Sequence, residues 1–270
     1  MGIMDRAGKT YWDSLWKEES TPKAFDPKAA GLNNYVNRRF HHYFHKLFKG
    51  LNTKGKRLLE IGCARSVWLP YFAREFGFQI SGIDYSEIGC KQAEIVLRKE
   101  GVEGNVICAS FFAPPKKLVE LFDVVVSFGV AEHFEDTAAC IHAFSRFLKA
   151  GGILITIIPN LVGLIGMVQR LINMKVYDIH IPMNLNNLWD AHESSDLRVI
   201  SCGYFMFANF GVLNLSGVEK DSFLFWVKKL VLFFLQEITK VIWVLELILS
   251  PIPANRLLSP YIVCVTKKPL

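Results

Sequence analysis

Five short apolar runs, at residues 57–61, 79–83, 105–109, 123–128 and 152–158, punctuate the first part of the chain. Between them apolar positions return every three to four residues: Trp68, Leu69, Phe72, Ala73 and Phe76, then Ile88, Ala93, Ile95 and Val96, then Ile141, Phe144 and Leu148. Short runs rich in Ile, Leu and Val predict buried strands, and the intervening period predicts helices. Strand and helix in alternation specify an α/β fold, a doubly wound and mostly parallel sheet with helices on both faces.

The flanks follow other patterns. Residues 1–55 predict an N-terminal helical segment, with helices over 11–16 and 34–51, ahead of a sheet domain over 56–270. A first helical insertion is expected at about 160–203. Apolar residues stand at helical spacing over 161–172, Tyr177 and His180 follow, and a polar helix is predicted over 188–200. Emerging at the carboxyl edge of the sheet, this insertion is placed to act as a lid. A second insertion, at about 220–256, holds the long apolar stretch 223–249. Lys228, Lys229, Gln236, Glu237, Lys240 and Glu246 interrupt it, so no run reaches the ~20 residues of a membrane span. On a helical projection the polar groups gather on one side and leave a wide apolar face, and Pro251 and Pro253 close the segment. The pattern predicts an amphipathic helix or hairpin that either roofs a substrate pocket or lies on a membrane.

Composition sharpens this picture. Hydrophobic residues make up 51% of the 270-residue chain, with 21 Phe and 6 Trp, and mean hydropathy is +0.25. That implies either a generous core or a surface that meets lipid. A net charge of +6 without a run of five Lys or Arg gives no nucleic-acid footprint. Cysteines 63, 90, 108, 140, 202 and 264 form no C-x-x-C pair, which predicts a reduced, cytoplasmic, metal-free protein. The first residues show no secretory pattern, and Arg6 stands where a myristoylation motif at Gly2 requires Ser or Thr. His41 and His45, spaced i and i+4, would suit a metal pair, but no acid accompanies them in sequence, so a solvated face is expected.

The richest chemistry lies at 56–66 and 79–84. The first strand ends in an acid and a glycine, Glu60 and Gly62, and the second closes on Asp84. Two carboxylates thereby fall at the carboxyl ends of neighbouring parallel strands, where open α/β sheets bind ligands. Gly62 lets backbone pass close beneath a ligand, the following amides suit a carboxylate, and Asp84 suits a ribose diol, so a nucleoside is the natural ligand.

The segment EIGCARS at 60–66 resembles the glycine-rich first motif of class I S-adenosylmethionine-dependent methyltransferases, and GIDYS at 82–86 their acidic second motif. Ala64 and Ser66 stand where further glycines are usual. GVAEHFED at 129–136 is similar to the loop after the fourth strand, and LKAGGILITIIPN at 148–160 to the family's fifth strand. The resemblance implies S-adenosylmethionine as cofactor, held by Glu60, Gly62, Cys63, Ala64, Asp84, Tyr85, Ser110, Phe111, Ser127 and Phe128. Ser110 takes the place of an acid that relatives use for the adenine amino group, with Phe111 or Phe112 against the adenine face. It also implies two more strands, near 204–210 and 261–267, the last antiparallel, completing a seven-stranded sheet. By the same resemblance the N-terminal segment folds over the site, with Tyr11, Trp12 and Trp16 as walls.

His133 is the expected general base, because a neutral imidazole can take the proton of an attacking hydroxyl; the alternative is a pocket-shaping residue. His180 and Tyr177 are further catalytic candidates on the acceptor side. The expected function is methyl transfer to O, N or C of a small, apolar acceptor without a metal, in the cytoplasm or peripherally on a membrane. Two rivals stand beside it. A nicotinamide oxidoreductase requires G-x-G-x-x-G, of which only Gly62 is present. A non-catalytic cofactor-binding or membrane-associated module of the same fold would have kept the sheet and lost cofactor affinity.

Overall fold

The computed structural model describes residues 5–18 and 20–270; Gly2 lies outside them. Seven strands, β1 (Arg57–Ile61), β2 (Gln79–Asp84), β3 (Gly104–Cys108), β4 (Phe122–Phe128), β5 (Leu148–Pro159), β6 (Arg198–Phe205) and β7 (Tyr261–Lys267), form one sheet. The order is β3-β2-β1-β4-β5-β7-β6. β1 to β5 pair in parallel, and β7 runs antiparallel to both of its neighbours, β5 and β6. The order reverses between β1 and β4, which opens a crevice at their carboxyl ends.

Alternation along β1 shows how the two cores arise. Leu58 joins a cluster with Phe40 and Phe44 of α2 (Tyr35–Leu47) and Leu69 and Phe72 of α3 (Trp68–Phe76). Its neighbour Leu59 joins the opposite cluster, with Ile141 and Phe144 of α5 (Thr137–Ser145) and Leu188 of α8 (Leu185–Glu193). Both clusters are buried, as the parallel sheet requires. Local chemistry sets the helix ends. Ser86 caps α4 (Glu87–Lys99) by accepting from Gly89 N at 3.0 Å, and Asp136 caps α5 by accepting from Ala139 N at 2.8 Å. α3 stops at Gly77, whose φ of 70° is the left-handed C-terminal turn.

Several boundaries differ from expectation; the helix expected over 34–51 ends at Leu47 and the one expected over 11–16 runs Gly8–Glu18. The polar helix expected over 188–200 ends at Glu193, because Asp196 takes a left-handed φ of 57° and turns the chain into β6. β6 accordingly begins at Arg198 rather than near 204. It is a sheet edge of mostly half-buried and exposed residues, so its period-2 signal is weak. β5 starts at Leu148, earlier than expected, pairing with Phe122 ahead of a register shift.

The insertion after β5 folds as α6 (Leu164–Ile172) and α7 (Met174–Asp178) ahead of α8. Ile165 and Ile172 pack with Phe210 and Leu213 and with Leu232 of α9 (Phe223–Ile248). α9 is one continuous helix. No helix of the described residues is long and apolar enough to cross a membrane.

Candidate active site

The turn after β1 is shaped by close approach. Gly62 has φ +77°, and a Cβ there would lie 2.4 Å from Val130 Cγ2. Glycine is thus required both by the left-handed conformation and by the loop after β4 pressing against it. Ala64, where a glycine is usual, is accommodated from outside the turn: its methyl faces Gly89, where a Cβ would come within 2.5 Å. Ser66, the other departure, has its own work. Its hydroxyl donates to Glu60 Oε2 and accepts from Trp68 N at 3.1 Å and Leu69 N at 3.0 Å, the first two amides of α3.

Asp84 stands beside that turn, at the end of β2. Its Oδ2 accepts from Ala64 N at 3.1 Å and its Oδ1 from Ser86 N at 2.7 Å, tying the two strand ends together. Burial pushes its pKa up to about 6 against the pull of these amides. Glu60 lies deeper, and burial raises it to about 8, the Ser66 hydroxyl opposing the shift.

These elements surround a cleft of about 180 Å³. Gly62, Ala64, Asp84, Tyr85, Phe111, Phe128 and His133 line it, together with Gly129, Val130 and Phe134. Asp5, Trp12 and Trp16 close it from the N-terminal side. α1 (Gly8–Glu18) and the residues just before it are pinned there by several bonds. Ser86 Oγ donates to Asp13 at 2.6 Å, Gln92 Nε2 donates to the Trp16 carbonyl at 2.8 Å, Tyr85 OH donates to Asp5, and Arg6 N donates to the His133 carbonyl at 2.9 Å. Trp12 stacks on Trp16 at 5.4 Å and meets the His133 ring edge-on at 5.0 Å. Tyr11 is not among the lining residues; it packs edge-on against Trp12.

The remaining candidates lie elsewhere. Glu60, Cys63 and Ser127 are buried behind the cleft. Ser110 accepts from Phe112 N at 3.3 Å outside the lining. Tyr177 packs with the α6–α9 cluster, 5.9 Å from the Arg170 guanidinium. His180 stands behind His133, ring centroids 4.5 Å apart.

His133 is 4% exposed, and its Nδ1 meets the Ile179 carbonyl at 2.8 Å. With Nδ1–H donating, Nε2 carries the lone pair. Burial lowers its pKa, so the ring is neutral, and the same cause takes His180 to about 4. Glu132, buried beside it, is pushed up to about 8 by desolvation.

One pairing escaped the sequence. His41 and His45 do have an acidic companion, Glu75 of α3, whose Oε1 lies 2.7 Å from His45 Nε2. It is thirty positions away in sequence, so only the packing of α2 on α3 brings it near.

The methyltransferase-domain family matches residues 32–200, more than half of the chain. The chain is 32% identical over 158 residues to the ubiquinone biosynthesis O-methyltransferase of Pseudomonas syringae pv. tomato, covering 56% of this chain and 62% of that one. The chain spans about half the length of the curated relatives it matches, 40 to 62%. Among solved structures, a SAM dependent methyltransferase from Archaeoglobus fulgidus superposes with a TM-score of 0.54 at 18% identity, over 86% of this chain and 94% of that one. The cyclase SpnF superposes with a TM-score of 0.60 at 15% identity, over 100% of this chain and 99% of that one. A cyclase on the same sheet shows that the fold alone does not assign the chemistry. Together with the motif resemblance, the family match places this chain among the class I S-adenosylmethionine-dependent methyltransferases, to whose methyltransferase-domain family it belongs.

Proposed function

We propose that this chain methylates a small, hydrophobic acceptor with S-adenosylmethionine, working at a membrane surface. The observation that carries the first part is the pair at the switch point: a glycine turn too tight for a Cβ at Gly62 and, bonded to that turn through Ala64 N, the Asp84 carboxylate, both lining the cleft. The pair fits an aminoacyl nucleoside, with Gly62 and Ala64 beneath the amino-acid end and Asp84 on the ribose. When bound, S-adenosylmethionine supplies an electrophilic methyl group on a sulfonium. The protein supplies alignment and dryness: Trp12, Trp16, Phe111, Phe128 and Phe134 wall the cleft and exclude water. His133 is the group that meets the acceptor, its Nε2 receiving the acceptor's proton as the nucleophile attacks. Since the relative from Pseudomonas syringae is named an O-methyltransferase, a hydroxyl acceptor is the first to test.

The second part rests on α9. Among the described residues none of α9 lines the cleft, which leaves lipid rather than the pocket roof as the reading for its apolar face. Two polar groups of the helix point inward beside Leu232 and Trp243, with Thr239 Oγ1 accepting from Phe210 N at 3.2 Å and Glu246 Oε2 accepting from Tyr35 OH at 2.7 Å. Its outward face carries Phe223, Leu224, Trp226, Leu230, Phe233, Phe234, Ile238, Val241 and Ile248. Lys228 and Lys229 on the same helix suit anionic headgroups, whereas Lys240 is occupied by Glu237 at 2.6 Å.

Titration calorimetry with S-adenosylhomocysteine tests the cofactor assignment. Wild-type protein is expected to bind it, and Asp84→Ala to bind about 1.5–3 kcal/mol more weakly, the worth of hydrogen bonds to a charged group. Equal affinity in the two proteins would remove Asp84 from the site, and no binding by the wild type would favour the non-catalytic module.

A further inference from the structure

Beside the cleft, Glu132, His133 and His180 converge. One ligand atom from each lies within 4.8 Å of the others, although 47 positions separate the histidines in sequence. Each imidazole has its Nδ1 committed to a backbone carbonyl, His133 to Ile179 at 2.8 Å and His180 to Val176 at 2.6 Å. Each therefore keeps Nε2 as its free lone pair, and such carbonyl bonds are how ligating histidines are oriented. Glu132 is 1% exposed and its Oε2 has no hydrogen-bond partner. An orphaned buried carboxylate oxygen is costly unless something cationic completes it. The loop that brings His180 is stitched in place by Ile181 N donating to the Glu132 carbonyl at 2.6 Å. Asp5, the other acid near His133, is engaged by Tyr85 OH and Ala7 N.

We propose that Glu132, His133 and His180 form a binding site for one divalent transition-metal cation at the His133 wall of the cleft. Two imidazoles and one carboxylate are the donor set of catalytic zinc sites, soft enough to favour Zn²⁺ or Co²⁺ over Mg²⁺ and leaving positions open. This departs from the metal-free expectation drawn from the cysteines, none of which takes part. The role assigned to the cation rests on the methyltransferase reading. An acceptor oxygen entering an open position loses its proton to water while the O–H electron pair stays on the cation-bound oxygen, and His133 then acts as ligand in place of base.

Chelator-stripped full-length protein dialysed against Co²⁺ tests the site. One equivalent is expected in the wild type and in a His41→Ala/His45→Ala double variant, which removes the other His/Glu cluster among the described residues, the partly buried His41–His45–Glu75. X-ray absorption on that double variant should read two imidazoles and a carboxylate, with Glu132, His133 and His180 left unchanged. Glu132→Gln and His180→Ala should bind Co²⁺ roughly tenfold or more weakly. Trp12, 5.0 Å from the His133 ring, should be quenched by Co²⁺ in the wild type. Absence of stoichiometric binding, or its loss in the His41/His45 double variant, overturns the proposal. S-adenosylhomocysteine titrated into the same samples separates the two readings. Binding of the nucleoside without cobalt refutes the cation site and keeps the methyltransferase, whereas binding of cobalt without the nucleoside does the reverse.

Discussion

At Glu60 a carboxylate sits in the apolar interior against the Ser66 hydroxyl, and desolvation lifts its pKa to about 8. Between its ordinary value of 4.5 and about 8 the folded chain holds a proton there that the unfolded chain has released. Stability therefore falls as pH rises through that window, by up to about 1.4 kcal/mol per unit. Asp84, raised from 3.8 to about 6, adds the same sign over its own narrower window. Glu60→Gln still accepts the Ser66 hydroxyl but binds no proton. Its urea-unfolding free energy should drop less than the wild type's from about pH 5 to about pH 8, and parallel curves would show that Glu60 is not so shifted. At His133 the prediction is kinetic. His133→Ala should cost roughly 10²–10⁴ in rate with little change in S-adenosylhomocysteine affinity, and retained activity on the true acceptor would reduce the residue to a wall. Gly62 and Asp84 were legible from sequence because strand ends fix their places. The compensation of Ala64 by Gly89 was not, since it joins a turn to the face of a later helix.

Among the elements, α1 closes the cleft with two rings, Trp12 and Trp16. Its rings reach the lining through bonds from Ser86 and Gln92, so the β2–α4 unit holds α1 against the cleft. Trp12→Ala and Trp16→Ala should each weaken S-adenosylhomocysteine binding by about 0.5–1.5 kcal/mol, and nucleoside binding should change the tryptophan emission of the wild type. Unchanged affinity in both would make α1 a packing element only. The central strands were readable because parallel strands buried on both faces are continuous apolar runs. β6 was misplaced because an edge strand, half-exposed, carries no such run. Contacts such as His45 with Glu75, or Glu132 with His180, come from packing between distant segments and leave no local pattern.

At the scale of the whole molecule, the proposed contact with a membrane surface turns on the broad exposed apolar face of α9. A helix packed on a protein normally turns its apolar side inward. Here Trp243 Nε1 donates to the Ala208 carbonyl at 3.0 Å, Thr239 and Glu246 are bonded inward, and Phe223 stands 84% exposed with Ile248 at 71%. The sequence showed the wide apolar face but not its direction, because direction depends on Tyr35, Arg39 and Phe210, which come from elsewhere in the chain. With a net charge of +6, the face is expected to settle into the headgroup region of anionic bilayers. The protein should pellet with phosphatidylglycerol-containing vesicles, less with phosphatidylcholine alone, and less again as salt screens Lys228 and Lys229. Phe233→Glu with Phe234→Glu, two outward positions that touch no inward bond, should leave the protein in the supernatant without lowering its melting temperature. If the wild type stays in the supernatant and instead sediments as a dimer that the double variant abolishes, the face belongs to a second copy of the chain. A water-soluble acceptor then becomes the first to try.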